Sequence, residues 1–299
     1  SNITLVTSQR NFEYAKNLDL FNTVYKFPEK NIFFKFFFIL KLLKKKFDYI
    51  YVFDGKERSI IASALIRSKC KIALTPKIKF FYKMLNIKFI LDNDKTNLNK
   101  IFQKFLDLSN INTKISNFNF LKNKINNNFS SNIEIKNYLH IHLDEKWFSK
   151  LYISKYTNIG PNYSEFIKFI DKINQKNDIL ITTGLIDFEL VDELKNKYFN
   201  KVSNKIFLKK NRNKSVYLIY KPTFDDLESL LRSSKTLIAC HGAITHASNS
   251  FDVKKIDILE KSKVSFYQRF TSHLFDYHTI YRSAFVDVES EVCNKILHS

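Results

Sequence analysis

Short β-rich runs alternate with longer helical patterns along the whole chain, and few folds accept that rhythm. In the first half, extended runs at Ile3–Thr7, Tyr49–Phe53, Lys71–Leu74 and Lys88–Leu91 are separated by helical patterns at Ile32–Lys45, Arg58–Arg67 and Asn97–Asp107. In the second half, strands are predicted at Tyr138–Leu143, Asp178–Thr182, Val216–Tyr220, Thr236–Ala239 and Lys255–Leu259. Helices are predicted there at Tyr163–Gln175, Asp187–Lys197 and Asp225–Arg232. Strands that follow one another through helices pair in parallel, so the class is α/β. Between the halves, residues 110–132 turn rich in Asn, Ser and Lys and end in NKINNNFSSN. A chain of 299 residues exceeds one simple core,. The reading is therefore two domains, 1–125 and 137–299, joined by a linker at 126–136.

Glycine punctuates this pattern sparsely. Of four glycines, Gly55, Gly184 and Gly242 each follow a predicted strand, where an α/β fold turns tightly and docks ligands, whereas Gly160 has no such context,. Neither GxGxxG nor a P-loop occurs, which argues against dinucleotide binding and P-loop ATPase chemistry,.

The net charge of +20 favours an anionic partner such as a phosphorylated substrate or an anionic membrane surface,. The abundance of Lys, Asn, Ile and Phe also marks an AT-rich coding sequence. The lysines are spread along the chain, with no zinc-finger spacing or RNA-recognition signature, so no nucleic-acid partner is expected,. Cys70, Cys240 and Cys293 are far apart and odd in number, which fits a reducing, cytoplasmic setting,. The chain enters an apolar run at once from Ser1, without a Met, so its natural start is expected upstream. The longest apolar stretch, Ile32–Leu43, falls short of the roughly 20 residues needed to span a bilayer,. A packed helix of the first domain is expected there. The other reading is a basic, aromatic surface resting on the inner face of the inner membrane.

The chemistry concentrates between Tyr220 and Glu260. An amphipathic helix and a buried strand lead into Cys240-His241-Gly242-Ala243, and a helix carrying His246 and Ser248 follows. Small residues let backbone N–H groups approach an anion, and the positive end of a helix strengthens the attraction. A plain capped strand-to-helix turn is the equally weighted alternative. Other candidate segments are His142-Leu143-Asp144-Glu145-Lys146-Trp147-Phe148, and Ile179 to Gly184 followed by Asp187 and Glu189. The first half adds Phe47 to Gly55 with Arg58-Ser59.

These segments resemble glycosyltransferase family 9, the ADP-heptose lipopolysaccharide heptosyltransferases. His246 falls on the family motif's His, and Gly242 and Ala243 fall on its small positions facing the donor phosphates. His241 stands where the family has Asp. The resemblance implies a GT-B fold: two Rossmann-like domains facing across a cleft, the first lacking its opening strand and helix. It implies transfer of a heptose-like sugar from a nucleotide-diphosphate donor, ADP-heptose in the family, to a lipid-linked lipopolysaccharide-core or other cell-surface glycan. No cofactor or metal is implied. Lys146 would neutralise the leaving diphosphate, a task suited to a compact point charge. Thr183, Gly184, Asp187 and Glu189 would meet the donor, with Asp187 or Glu189 on ribose hydroxyls. Helix capping is the competing role for Asp187. Asp54 and Arg58 would lie on the acceptor side.

The family's base, an Asp in a Gly-Asp turn, has no counterpart after Ser1: either it lies upstream of Ser1, or another group serves, for which His241 is the candidate beside Lys146. A non-catalytic sugar-nucleotide or glycan-binding relic is the alternative. Tyr267, Arg269, His273, Tyr277, His278 and Arg282 read as an amphipathic helix, or as a segment that returns Arg269 and His273 to the acceptor. Metal binding is not expected. His140 and His142 share one strand face and His241 and His246 are five apart, without clustered carboxylates,. The one DxD spacing, Asp92-Asn93-Asp94, falls in the first domain.

Overall fold

The computed structural model describes residues 2–28, 32–92, 96–113, 129–211 and 214–297. They form two compact units, Ser1–Asn117 with Gln268–Ser272, and Phe118–Tyr267 with His273–Ser299. The expected domain boundary at 125/126 and the first linker residues lie outside the described residues. Residues 129–136, the rest of the expected linker, pack onto the second unit. Ile133 is buried with Tyr138, Leu180 and Tyr217, and the Ser130 N–H donates to Ser229 Oγ at 3.1 Å.

The first unit holds β1 (Thr4–Thr7), α1 (Gln9–Asn17), β2 (Thr23–Lys26), α2 (Ile32–Leu43), β3 (Lys46–Val52), α3 (Glu57–Leu65), β4 (Arg67–Thr75), β5 (Lys88–Leu91) and α4 (Leu98–Leu108). Strands β1 and β2 pair in parallel, as do β3, β4 and β5 in that order. A core of Ile72, Leu74, Ile90, Ile101 and Phe105 seats α4 on this second sheet. The expected packing of α2 holds along one face only, where Phe38 meets Tyr25 and Phe27 edge-on. Leu42 is buried, but Phe33, Phe34, Phe36 and Phe37 stand exposed beside Lys35. A helix apolar on nearly every side cannot bury all its faces against one small sheet. Among the described residues no helix is long and apolar enough to cross a membrane.

The second unit contains β6 (Tyr138–Leu143), α5 (Tyr163–Asn174), β7 (Ile179–Thr183), α6 (Glu189–Glu193), β8 (Asn200–Lys201), β9 (Ile206–Asn211), β10 (Lys214–Ile219), α7 (Phe224–Leu231), β11 (Ser234–Cys240), α8 (Ala243–Ala247), β12 (Lys254–Leu259), α9 (Val264–Thr271), β13 (Tyr277–Tyr281) and α10 (Phe285–Leu297). By contacts, α9 is shared with the first unit. One eight-stranded sheet runs β13-β12-β11-β6-β7-β10-β9-β8. It is parallel except that β9 opposes both β10 and β8.

Every residue of β6 is buried, as expected for a central parallel strand covered on both faces,. The two-residue period sorts its side chains. Leu139, Ile141 and Leu143 join α5 and α10 through Phe166, Phe169 and Phe285. Tyr138, His140 and His142 point to the other face, where His140 Nε2 and His142 Nδ1 both contact Thr182 Oγ1, at 2.8 and 2.9 Å.

The tail is helical as expected at Tyr267 and Arg269, which lie in α9, and departs from expectation beyond it. Tyr277–Tyr281 is a strand parallel to β12, with Arg282 just beyond it, and is no part of a helix. Ile280 is fully buried in the core, and that burial outweighs the polar helical spacing around it,.

Candidate functional site

Chain order places β7 on one side of β6 and returns later to place β11 on the other. Two neighbouring parallel strands whose connections depart in opposite directions leave a crevice at their carboxyl ends, the usual ligand position in such sheets. The candidate residues gather at this edge.

After β6, the Asp144 carboxylate caps a single 3₁₀ turn, Glu145–Trp147, by accepting the Lys146 N–H at 3.1 Å. The same carboxylate binds Lys146 Nζ at 2.6 Å. Trp147 is 1% exposed, donates Nε1–H to the His142 carbonyl at 2.9 Å and packs against Phe166 and Phe285. The single Trp therefore anchors the turn that presents Lys146. Burial disfavours the Lys146 charge, but Asp144 outweighs it and holds the ammonium above its ordinary pKa,. Lys146 is thus a fixed cation at neutral pH.

Strand β11 ends at Cys240, and His241 and Gly242 lead into α8. A Cβ added to Gly242 would sit 2.7 Å from Lys146 Nζ, so the ammonium lies against the bare backbone of this turn. At the end of β7, a Cβ on Gly184 would meet Asp144 Cβ and Glu145 Oε2, each at 2.8 Å. Glycine at these two positions lets three strand ends close on one another. Because α8 spans only five residues, the positive charge here comes mainly from Lys146 and less from a helix terminus,.

Arg282 ties the arrangement from β13. It donates Nε–H to the Thr157 carbonyl and Nη1–H to the Lys146 carbonyl, both at 2.7 Å, and Nη1 lies 3.6 Å from Cys240 Sγ. Burial pushes the Cys240 thiol up, so it stays protonated.

The histidines form a second group. His241 Nδ1 lies 2.6 Å from Asp257 Oδ2. His246 meets His241 edge-on and stacks on His273, with ring centroids 5.1 and 6.1 Å apart. Burial, with His241 and His273 nearby, lowers the His246 pKa to about 4. His246 therefore acts as a neutral hydrogen-bonding group and not as a cation.

Other candidates are placed differently. Thr183 is buried and its hydroxyl oxygen accepts the Lys221 N–H at 2.8 Å. Asp187 does not cap α6, whose first turn is preceded by Phe188. Instead it accepts from Tyr220 Oη at 2.6 Å and Lys221 Nζ at 2.5 Å, and Lys221 holds its carboxyl below the usual range. Glu189 is exposed at the start of α6, and Ala243 opens α8.

In the first unit, Asp54 accepts the Lys56 N–H and the Ser59 hydroxyl, so it organises the start of α3. Arg58 stacks over Phe27. Arg269 counts with the first unit and ion-pairs with Asp92, whereas His273 belongs to the second. Asn93 and Asp94 lie outside the described residues. Among the described residues, no group of three or more His, Cys, Asp or Glu gathers as a metal site would require.

Sequence reasoning missed Asp257 and Thr245, and named Tyr277 and Arg282 in the tail without giving them a place in the site. One signal was legible for Asp257: a carboxylate centred in the apolar strand KKIDIL needs a buried partner,.

No protein-family model and no curated protein matches the sequence. Solved structures do match. The glycosyl transferase family 9 protein of Veillonella parvula DSM 2008 superposes with a TM-score of 0.61 at 12% identity, covering 99% of this chain and 80% of that one. The Escherichia coli heptosyltransferase WaaC with ADP gives 0.65 at 10% identity, covering 98% and 90%. The chain has the heptosyltransferase fold. A UDP-GlcNAc 2-epimerase from Methanocaldococcus jannaschii also matches, with a TM-score of 0.53 at 11% identity over 97% and 83%. This GT-B architecture therefore does not choose the reaction, and the site has to carry that argument.

Proposed function

We propose that the chain is a glycosyltransferase whose second unit binds a nucleotide-diphosphate sugar at the carboxyl ends of β6, β7 and β11. One observation carries this reading: the Lys146 ammonium lies against the Gly242 backbone at the switch point of the sheet. A fixed cation beside bare backbone suits a diphosphate, and charge placed where a leaving group develops is a strong source of rate. At 4 Å, a pair of unit charges near a protein surface interacts by about 4 kcal/mol.

In this reading Lys146, Gly242 and Ala243 hold the diphosphate, and neutral His246 hydrogen-bonds beside it. Thr183, Gly184, Asp187 and Glu189 form the nucleoside side. An acceptor hydroxyl attacks the anomeric carbon, the nucleoside diphosphate departs, and His241 takes the hydroxyl proton. Lys146 supplies the charge that a metal supplies in other transferases, so chelators should leave the rate unchanged. The structures sharing the fold include a heptosyltransferase with ADP and an ADP-heptose lipopolysaccharide heptosyltransferase, which supports ADP-heptose as the first donor to try and a lipopolysaccharide-core glycan as the acceptor. Residues 1–125 are proposed as the acceptor domain, with Asp54 and Arg58, and Arg269 counts with the same unit. The exposed phenylalanines of α2 beside Lys35 and Lys41 suit peripheral contact with an anionic membrane surface,.

The test is a thermal-shift screen of ADP, GDP, UDP, CDP and their sugars. Ligand at 100 times its Kd stabilises by about 2.7 kcal/mol, so a true donor raises the melting point measurably. Indifference to all of them rejects the donor site, and tight binding without turnover on any acceptor leaves a sugar-nucleotide-binding relic.

A further inference from the structure

We infer that Asp257 is the positioning residue of His241, fixing the imidazole with its proton on Nδ1 so that Nε2 is left to receive the proton of the attacking hydroxyl. The inference rests on the transferase reading above, which assigns His241 its task.

The geometry is specific. Asp257 lies on β12 at 1% exposure, between Ile256 and Ile258, which point into the opposite core. Its Oδ2 faces His241 Nδ1 at 2.6 Å and accepts from Tyr277 Oη at 2.7 Å, while Oδ1 accepts from Thr245 Oγ1 at 3.0 Å. Three elements thus converge on one carboxylate: the end of β11, helix α8 and strand β13. A carboxylate can only accept, so the imidazole nitrogen facing it must carry the hydrogen. Both carboxylate oxygens are held, so the ring cannot exchange nitrogens without breaking this set.

Burying a carboxylate costs several kcal/mol unless it is paired and hydrogen-bonded, and aliphatic residues flank it on the strand. Stability alone would favour another aliphatic side chain at this position. What the carboxylate adds is a single tautomer and orientation of His241, whose side chain remains 11% exposed beside the Gly242 turn.

The step balances without a further reactant. The acceptor oxygen forms its bond to the anomeric carbon, and the bond from that carbon to the diphosphate oxygen breaks. The electron pair leaves with the diphosphate, which Lys146 faces. The hydroxyl proton passes to Nε2, and the imidazolium so formed is paired with Asp257. The titratable groups packed on His241 are Asp257 from β12, His246 from α8 and Tyr267 from α9, with Tyr277 from β13 acting through Asp257.

The experiment is ¹⁵N NMR of the full chain labelled at histidine, with the His241 signals assigned by their loss in His241→Gln. A strongly downfield ring proton on Nδ1 with Nε2 unprotonated is expected in the wild type, and its loss is expected in Asp257→Asn. A proton on Nε2 with Nδ1 bare overturns the inference. The wild-type spectrum decides this even if the variant fails to fold. With ADP-heptose and a lipopolysaccharide acceptor as probes, Asp257→Asn should lower kcat by about 10²- to 10⁴-fold at unchanged donor KM. Adding it to His241→Ala should cost nothing further. Additive losses in the double variant, or a loss confined to KM, also overturn the inference. No turnover of ADP-heptose defeats the transferase reading for that donor, while the tautomer result still judges the dyad.

Discussion

Replacing Gly242 by Ala tests the donor pocket at one atom. The Gly242 backbone is extended, with φ −175°, so alanine meets no left-handed strain there. The new methyl would stand 2.7 Å from Lys146 Nζ and 3.6 Å from its Cε. Comfortable contact requires about 3.5–4 Å, so the ammonium must withdraw by roughly 1 Å. That atom is the tip of a flexible side chain, so the fold yields cheaply. Stability should change by no more than about 1 kcal/mol, or roughly 2–4 °C in Tm for a domain of this size. Binding has no such freedom. A diphosphate oxygen on the turn would lose a charge-assisted hydrogen bond worth about 1.5–3 kcal/mol, weakening affinity about 10- to 100-fold. Calorimetric titration of the nucleoside diphosphate that most raises Tm, on wild type, Gly242→Ala, Lys146→Ala and the double variant, reads this directly. Since the loss runs through Lys146, Gly242→Ala should cost little once Lys146 is gone. An equal loss in the Lys146→Ala background, or unchanged affinity in the single variant, would refute the reasoning.

Lys146→Ala should lower turnover by about 10²- to 10³-fold, measured as nucleoside diphosphate release. Turnover within threefold of wild type contradicts its role. His246→Ala should weaken donor binding by a factor that stays flat between pH 5 and 8, because His246, with a pKa near 4, remains neutral throughout; a step near pH 6.5 that vanishes in the variant would show otherwise. His140 and His142 are each lowered to about 3, mainly by burial, against about 6.5 in the unfolded chain,. As pH falls below 6.5 the unfolded chain takes up their protons first, so the stability is complete above that point and is lost progressively toward pH 3. Urea melts should weaken already between pH 6.5 and 5, and constant stability over that range would count against both assignments. Trp147→Ala should cost about 3–5 kcal/mol by denaturant titration, since it empties a core site and removes the indole hydrogen bond to the His142 carbonyl,. A cost under 1 kcal/mol would mean that Trp147 does not anchor the Lys146 turn.

Much of the architecture was legible because burial imposes strong periodicity. Tyr138–Leu143 is a strand in sequence and structure alike, since a central strand buried on both faces has one composition available,. Elements with weaker patterns escaped. Strand β2 is four residues long and nowhere fully buried, and β9, one strand in from the sheet edge, runs three apolar residues straight into Lys209, Lys210 and Asn211 without alternation. Strand β13 mixes Tyr, His and Thr in a spacing that also suits a helix, and only the docking of Ile280 beneath α10 decides between them.

The site divides in the same way. Local sequence, through strand-end glycines and a lysine beside the single tryptophan, determined which turns carry the charge and the bare backbone. Tertiary structure alone decided that Lys146 lies on Gly242, 96 residues further along the chain, and that Asp257 and Tyr277 close on His241. It also assigned Asp187 to Lys221 and Tyr220. The physical reason is that periodicity records which face of an element is buried, whereas these partners depend on strand order, and strand order is set by the packing of the whole sheet.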